Sequence, residues 1–476
     1  MTRRWHAEFA WVGEQVARDV LIEASGERFT AVTPGATDVP HGTQRLPGLT
    51  LPGLANAHSH AFHRALRGAG AGSGPRPDVG PRPVTGSGPD DGSGDTFWTW
   101  RERMYDVAAR LTPDSYYTLA RAVYAEMALA GVTCVGEFHY LHHAEGGKPY
   151  SDPNEIGRLL ILAAAAAGIR ITLLDTCYLA AGFAPGGSAL PLSGVQRRFS
   201  DGSAARWAAR LAEFDCDSLG MAGPHARLGV AVHSVRAVPP SQMPEVMAWS
   251  HAHAAPVHTH LSEQPAENAE SLAAFGGTPA EVLDGAGVLG PRTTLVHATH
   301  VSASDVARLG AAQAAVCACP LTEADLADGV GPFPDLAMAG CPVALGSDGH
   351  SVVDLFEEAR WLELGQRLVT GRRGHFAVSE LTDSLTASGH ACLGWPDAGE
   401  IVPGAYADLV TVSLDSPRLA GGGQDAGLLG VLFAAGTAAD VRHVVASGND
   451  IVRDRRHLLV DDVPGALTAS ISAVLG

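Results

Sequence analysis

Leu46-Pro47-Gly48-Leu49-Thr50-Leu51-Pro52-Gly53-Leu54-Ala55-Asn56-Ala57-His58-Ser59-His60 is an apolar run that ends in two histidines one residue apart. Side chains two positions apart on a strand share a face, so both imidazoles point the same way. Two neutral imidazoles on one face are half of a zinc site. Parallel barrels place their chemistry at the carboxyl ends of their strands. The run therefore raises the question whether further strand-like runs end in further ligands.

They do. The run over 47–57 is followed by short, β-branched, apolar runs at 131–138, 169–174, 228–232, 256–260, 293–297, 314–318 and 342–346. Such runs read as buried parallel strands. Helical patterns lie between them. Thr112-Pro113, followed by Tyr117, Leu119, Ala120, Val123 and Met127, is a helix with a cap residue and a proline in its first turn. Eight strand–helix units specify an α/β fold, a (β/α)8 TIM-type barrel. Strand-like stretches at 18–24, 400–412 and 441–448 suggest a second, small β-sandwich domain formed by both chain ends. The expected division is 1–50 with 400–476 for the small domain and 51–399 for the barrel. Residues 68–94, rich in Gly, Pro and Ser, read as a flexible insertion without a catalytic role.

Composition narrows the function. The 476 residues are 46% hydrophobic and 18% charged, with a formal net charge of −18. That is ample apolar material for a large core. An acidic chain repels nucleic acid and anionic membranes, and an anionic small substrate would need dedicated local cations. No run approaches the roughly 18 apolar residues of a spanning helix. The first residues lead into no apolar signal core. The seven cysteines are scattered, and Cys317 with Cys319 makes C-x-C rather than C-x-x-C. Buried thiols in a reducing cytoplasm are the expectation.

His58 and His60, His260, His297 and Asp348 fall at the ends of the first, fifth, sixth and eighth barrel runs. Three histidines and one carboxylate leave a position for water, the arrangement of catalytic zinc. Such an ion brings the pKa of water near 7. Iron can replace zinc at N/O sites of this kind. Glu263, three residues after His260, is placed to carry a proton to a leaving nitrogen. His297 is suited to orient the nucleophile or to stabilise developing charge, and Asp348 to accept a proton from water. There is no G-x-S-x-G elbow and no phosphate-cradling Gly-rich loop. His139, His142 and His143 form a weak His-x-x-His-His pattern, read as loop packing around Tyr140 rather than a second metal site.

The set His58-Ser59-His60, His260-Leu261-Ser262-Glu263, His297 and Ser347-Asp348 resembles the single-zinc deaminase branch of the amidohydrolase superfamily. No lysine stands at Val230-Ala231-Val232-His233, where binuclear members carry a carboxylated one. Residues 57–65, Phe97-Trp98-Thr99-Trp100-Arg101-Glu102-Arg103-Met104-Tyr105, 136–143, 232–236, 257–264 and 321–329 further resemble the formimidoylglutamate deiminases. That resemblance implies one zinc ion on His58, His60, His260 and Asp348, with Glu263, His297 and Asp348 catalytic. It implies hydrolysis of N-formimidoyl-L-glutamate to N-formyl-L-glutamate and ammonia, in histidine degradation. It implies that Arg101 and Arg236 hold carboxylates, with Tyr140, His233 and position 63 also against substrate. Guanidinium forks suit that task and offset the acidic field locally. His63 stands where this family usually has Gln. The insertion directly precedes Arg101, so a mobile loop is expected to carry that residue. A cytoplasmic homodimer acting on a small dicarboxylate is the expected form. The alternatives are a deaminase acting on a cyclic amidine of the guanine, cytosine or triazine type, and a barrel that binds a small anion without turnover.

Overall fold

The computed structural model describes residues 2–68, 96–214, 225–422 and 426–476. The insertion therefore lies outside the described residues, apart from Gly68. Among the described residues, sixteen strands form two eight-stranded sheets. From the amino end come β1 (Thr2–Val12), β2 (Gln15–Ser25), β3 (Arg28–Thr33) and β4 (Gln44–Pro52). The middle supplies β5 (Leu54–Ser59), β6 (Val132–His139), β7 (Arg170–Cys177), β8 (Ala226–Val232), β9 (Val257–Leu261), β10 (Thr293–His297), β11 (Ala315–Ala318) and β12 (Val343–Leu345). The carboxyl end adds β13 (Leu409–Val412), β14 (Val441–Ala446), β15 (Asn449–Arg453) and β16 (Arg456–His457).

Strands β5 to β12 pair in chain order, each parallel to the next. A parallel bridge between Ser59 and Asp348 brings the last strand's end back to the first. Every residue of β6 and β7 is buried. Burial on both faces is what a parallel sheet wrapped by helices requires, and it explains why these runs are continuously apolar rather than alternating. Helices such as Pro113–Leu129, capped by Thr112 accepting from the Ser115 N–H, wrap the barrel. Among the described residues no helix is long and apolar enough to cross a membrane. The six described cysteines are buried and unbridged.

The other sheet has the order β16-β15-β14-β13-β4-β1-β2-β3 and so interleaves both chain ends. The β1–β2 hairpin turns through Gly13 and Glu14, with φ of 58° and 62°. Two positive φ values in a two-residue loop match the right-handed twist of the flanking strands.

The run over 47–57, expected as one strand, is two strands in two sheets. Gly53 is the break. A Cβ there would meet Thr133 side-chain atoms at 2.4 and 2.5 Å and Asp408 Cβ at 2.8 Å. The chain crosses between sheets where only glycine fits. Beside the crossing, Arg170 at the start of β7 forks onto Asp408 just before β13, with Nη1 2.9 Å from Oδ1. Both side chains are almost fully buried.

Candidate active site and metal centre

The barrel's carboxyl end gathers the polar residues. His58 lies in β5 and His60 just after it, with ring centroids 4.7 Å apart. The strand is held open for them by residues pointing the other way. Ser59 Oγ donates to Glu137 Oε2 at 2.8 Å, and the Ala61 N–H donates to Glu137 Oε1 at 2.8 Å. Asn56 clasps Ser347, accepting from its N–H at 2.9 Å, while the Asp348 N–H donates to the His58 carbonyl at 3.1 Å. The turn carrying Asp348 is thus tied to the strand carrying His58. Burial pushes the Glu137 carboxyl up to about 7.

Donor atoms of His58, His60, His260 and Asp348 all lie within 4.8 Å of one another, and all four residues are buried. Their chemistry fits a divalent ion. The His60 Nδ1–H donates to the Phe138 carbonyl at 3.0 Å, and the His260 Nδ1–H to the His233 carbonyl at 2.9 Å. Each bond fixes the tautomer and leaves an Nε2 lone pair free. Neither ring nitrogen of His58 makes an aligned hydrogen bond, although its Nε2 lies 3.2 Å from Asp348 Oδ1. A buried imidazole without partners is costly, and an ion at Nε2 removes much of that cost. Burial pushes all three histidines below their usual pKa, toward the neutral, ligating form. Burial alone would raise Asp348, but His58 and His297 hold it well below the usual carboxylate range.

His297 and Glu263 stand beside this cluster. His297 Nε2 is 3.7 Å from Glu263 Oε1 and 4.0 Å from Asp348 Oδ2, and its Nδ1 is 3.5 Å from Glu323 Oε1. Burial favours its neutral form, yet the three carboxylates raise its pKa well above the ordinary value. His297 and Asp348 both have positive φ, 71° and 35°. For residues other than glycine such backbone is strained by roughly 1–3 kcal/mol, and it clusters at functional sites.

A cavity opens above the cluster, lined by His63, Arg101, Tyr140, His233 and Arg236 with His60, His260, Glu263, His297 and Asp348. Arg101 is carried not by a loop but by the helix Phe97–Arg110, whose cap, Thr96, accepts from the Thr99 N–H. Its Nε donates to Tyr105 Oη at 2.7 Å. Arg236 Nη2 reaches Glu263 Oε2 at 3.4 Å, and its Nε has no hydrogen-bond partner. Tyr140 lies 3.2 Å from His63 Nε2. His139, His142 and Asp175 also converge. There, however, Arg210 takes Asp175 at 2.7 and 3.0 Å, and the Trp207 indole donates to it at 2.8 Å. The His142 and His143 backbone N–H groups donate to the Arg198 carbonyl, which ties this loop down.

Sequence reasoning missed Glu137, Glu323, Tyr105 and Tyr178 at this end of the barrel. Tyr105 and Tyr178 line the cavity, and Gln196 donates to both, at 3.2 and 3.0 Å. Tyr105, Glu137 and Glu323 lay within stretches already singled out, but nothing in their spacing marked a role.

The amidohydrolase family model matches residues 49–451. The chain belongs to the amidohydrolase family. It is 39% identical over 459 residues to the formimidoylglutamate deiminase of Pseudomonas aeruginosa, covering 95% of each chain. It is 31% identical over 381 residues to the 8-oxoguanine deaminase of the same organism, covering 78% of this chain and 76% of that one. Among solved structures, an amidohydrolase from Brucella melitensis superposes with a TM-score of 0.87 at 32% identity, covering 100% of both chains. His58, His60, His260 and Asp348 at the strand ends are a group that could hold a metal ion, which is consistent with membership of this family.

Proposed function

We propose that this amidohydrolase hydrolyses N-formimidoyl-L-glutamate to N-formyl-L-glutamate and ammonia, with a single zinc ion on His58, His60, His260 and Asp348. The observation that carries the reading is the pair of guanidinium groups, Arg101 and Arg236, in one cavity above that cluster. In a chain of net charge −18, two cations aimed into one pocket suit a dicarboxylate. The likeness to the Pseudomonas deiminase over 95% of both chains supports the same substrate.

Bound there, the ion would make water nucleophilic at neutral pH. The residues do the rest. Arg101 and Arg236 hold the two carboxylates bidentately and set the formimidoyl group over the cluster. Tyr140 and His233 flank the substrate, and His63 contacts it beside Tyr140. Asp348 takes the water proton, aided by His297, which also donates to the oxygen being added at the formimidoyl carbon. Glu263, 3.7 Å from His297, and Asp348 between them pass both protons of the water to the imino nitrogen, which leaves as ammonia. Arg236 aligns Glu263 by the 3.4 Å contact between them.

The test is ammonia release from N-formimidoyl-L-glutamate against a panel of cyclic amidines, with and without a chelator. Activity on the linear substrate that is lost with chelator and restored by zinc is expected. Arg101→Met and Arg236→Met should each lower kcat/KM for it at least about a hundredfold, since each leaves a carboxylate unpaired. A preference for ring substrates, unaffected by these substitutions, would overturn the reading.

A further inference from the structure

Asp348 presents its two oxygens in different directions. Oδ1 faces His58 and His60 Nε2 at 3.2 and 3.4 Å, whereas Oδ2 faces His297 Nε2 at 4.0 Å. A thiol lies close to both His297 and Asp348. His297, Cys319 and Asp348 each offer a donor atom, and these atoms lie within 4.8 Å of one another. All three residues are buried, Cys319 completely. Glu323 sets their relative position, because its Oε1 accepts from the Cys319 N–H at 3.0 Å and lies 3.5 Å from His297 Nδ1. Nothing in the proposed reaction uses Cys319.

A carboxylate whose two oxygens face different histidines can bridge two ions. Sulfur, imidazole nitrogen and carboxylate oxygen together select zinc or cadmium over magnesium or calcium. We propose that His297, Cys319 and Asp348 form a second, inhibitory site for a thiophilic divalent cation, joined to the first centre by the Asp348 carboxylate. Binding replaces the Cys319 S–H bond by a sulfur–metal bond and releases that proton to water. It also engages a ring nitrogen of His297 and removes that residue from turnover. The inhibition rests on the role proposed for His297; the binding does not.

Metal-free protein titrated with cobalt, and separately with zinc, decides the matter. The first equivalent should give a spectrum without sulfur ligation. A second equivalent should add a sulfur-to-cobalt charge-transfer band. Excess zinc should lower ammonia release about tenfold or more, and Cys319→Ala should raise the inhibitory zinc concentration by a similar factor. Cys319→Ala and the nearly isosteric Cys319→Ser should keep the first equivalent and its activity while losing the band. Saturation of the unsubstituted chain at one equivalent, with no sulfur band, overturns the site whatever the variants do. So does zinc inhibition that Cys319→Ala leaves unchanged. If N-formimidoyl-L-glutamate is not a substrate, the band and the second equivalent still test this site independently.

Discussion

Glu263 carries the sharpest residue-level expectation. Its carboxylate lies between the Arg236 guanidinium and the His297 ring, at 3.4 and 3.7 Å, and outside the four-donor cluster. Glu263→Gln should therefore retain stoichiometric metal by atomic absorption while kcat falls about 10²- to 10⁴-fold. Loss of metal along with activity would make Glu263 a ligand instead. Residues of this kind were legible early because reactive side chains must sit at strand ends, and strand ends can be found by counting from apolar runs. Cys319 follows β11 directly and stands beside His297 because β10 and β11 pair with Val296 opposite Cys317, so it too could have been found by counting. Glu323 was not legible in that way, because it reaches His297 from the short helix after β11.

At the level of elements, the turn after β12 decides whether the site assembles. Gly346 passes so close to β5 that a Cβ would meet His58 Cβ at 2.7 Å and the His58 N and O atoms at 2.9 Å. Gly346→Ala should push His58 off position. The expected outcome is metal affinity weakened about tenfold in competition with a chromophoric chelator, with stability lowered by about 1–3 kcal/mol in urea unfolding. The helix Phe97–Arg110 makes a related point. Its reach to Arg101 follows from the Thr96 cap and a 14-residue span, features hidden in sequence by the Gly- and Pro-rich stretch before it. A loop was the natural expectation there, and local capping overrode it.

Across the whole molecule, the buried Arg170–Asp408 fork fastens the barrel to the sheet made by the chain ends. Burial would raise the Asp408 carboxyl, but Arg170 holds it below the usual carboxylate range. Asp175 is held down in the same way by Arg210. A carboxyl whose folded pKa is depressed contributes stability that is complete above its unfolded pKa of about 3.9 and fades as pH falls through and below that value. Unfolding free energy should therefore drop steeply below about pH 4. Asp408→Asn leaves Arg170 buried without its counter-charge and should cost about 3–5 kcal/mol at pH 7. The gap between that variant and the parent chain should narrow as the pH is lowered. A gap independent of pH would assign the loss to packing.

The sequence by itself determined the barrel, its strand count and a set of candidate donors at the strand ends, because hydrophobic periodicity and the chemistry of histidine and carboxylate are local properties. It also showed that both ends are strand-forming. Only the tertiary structure decided that 47–57 divides at Gly53 between two sheets, that Arg101 rides on a helix, and that Asp348 turns one oxygen to each side. These depend on how close separate segments approach in space, and steric limits between residues hundreds of positions apart leave no periodic trace along the chain.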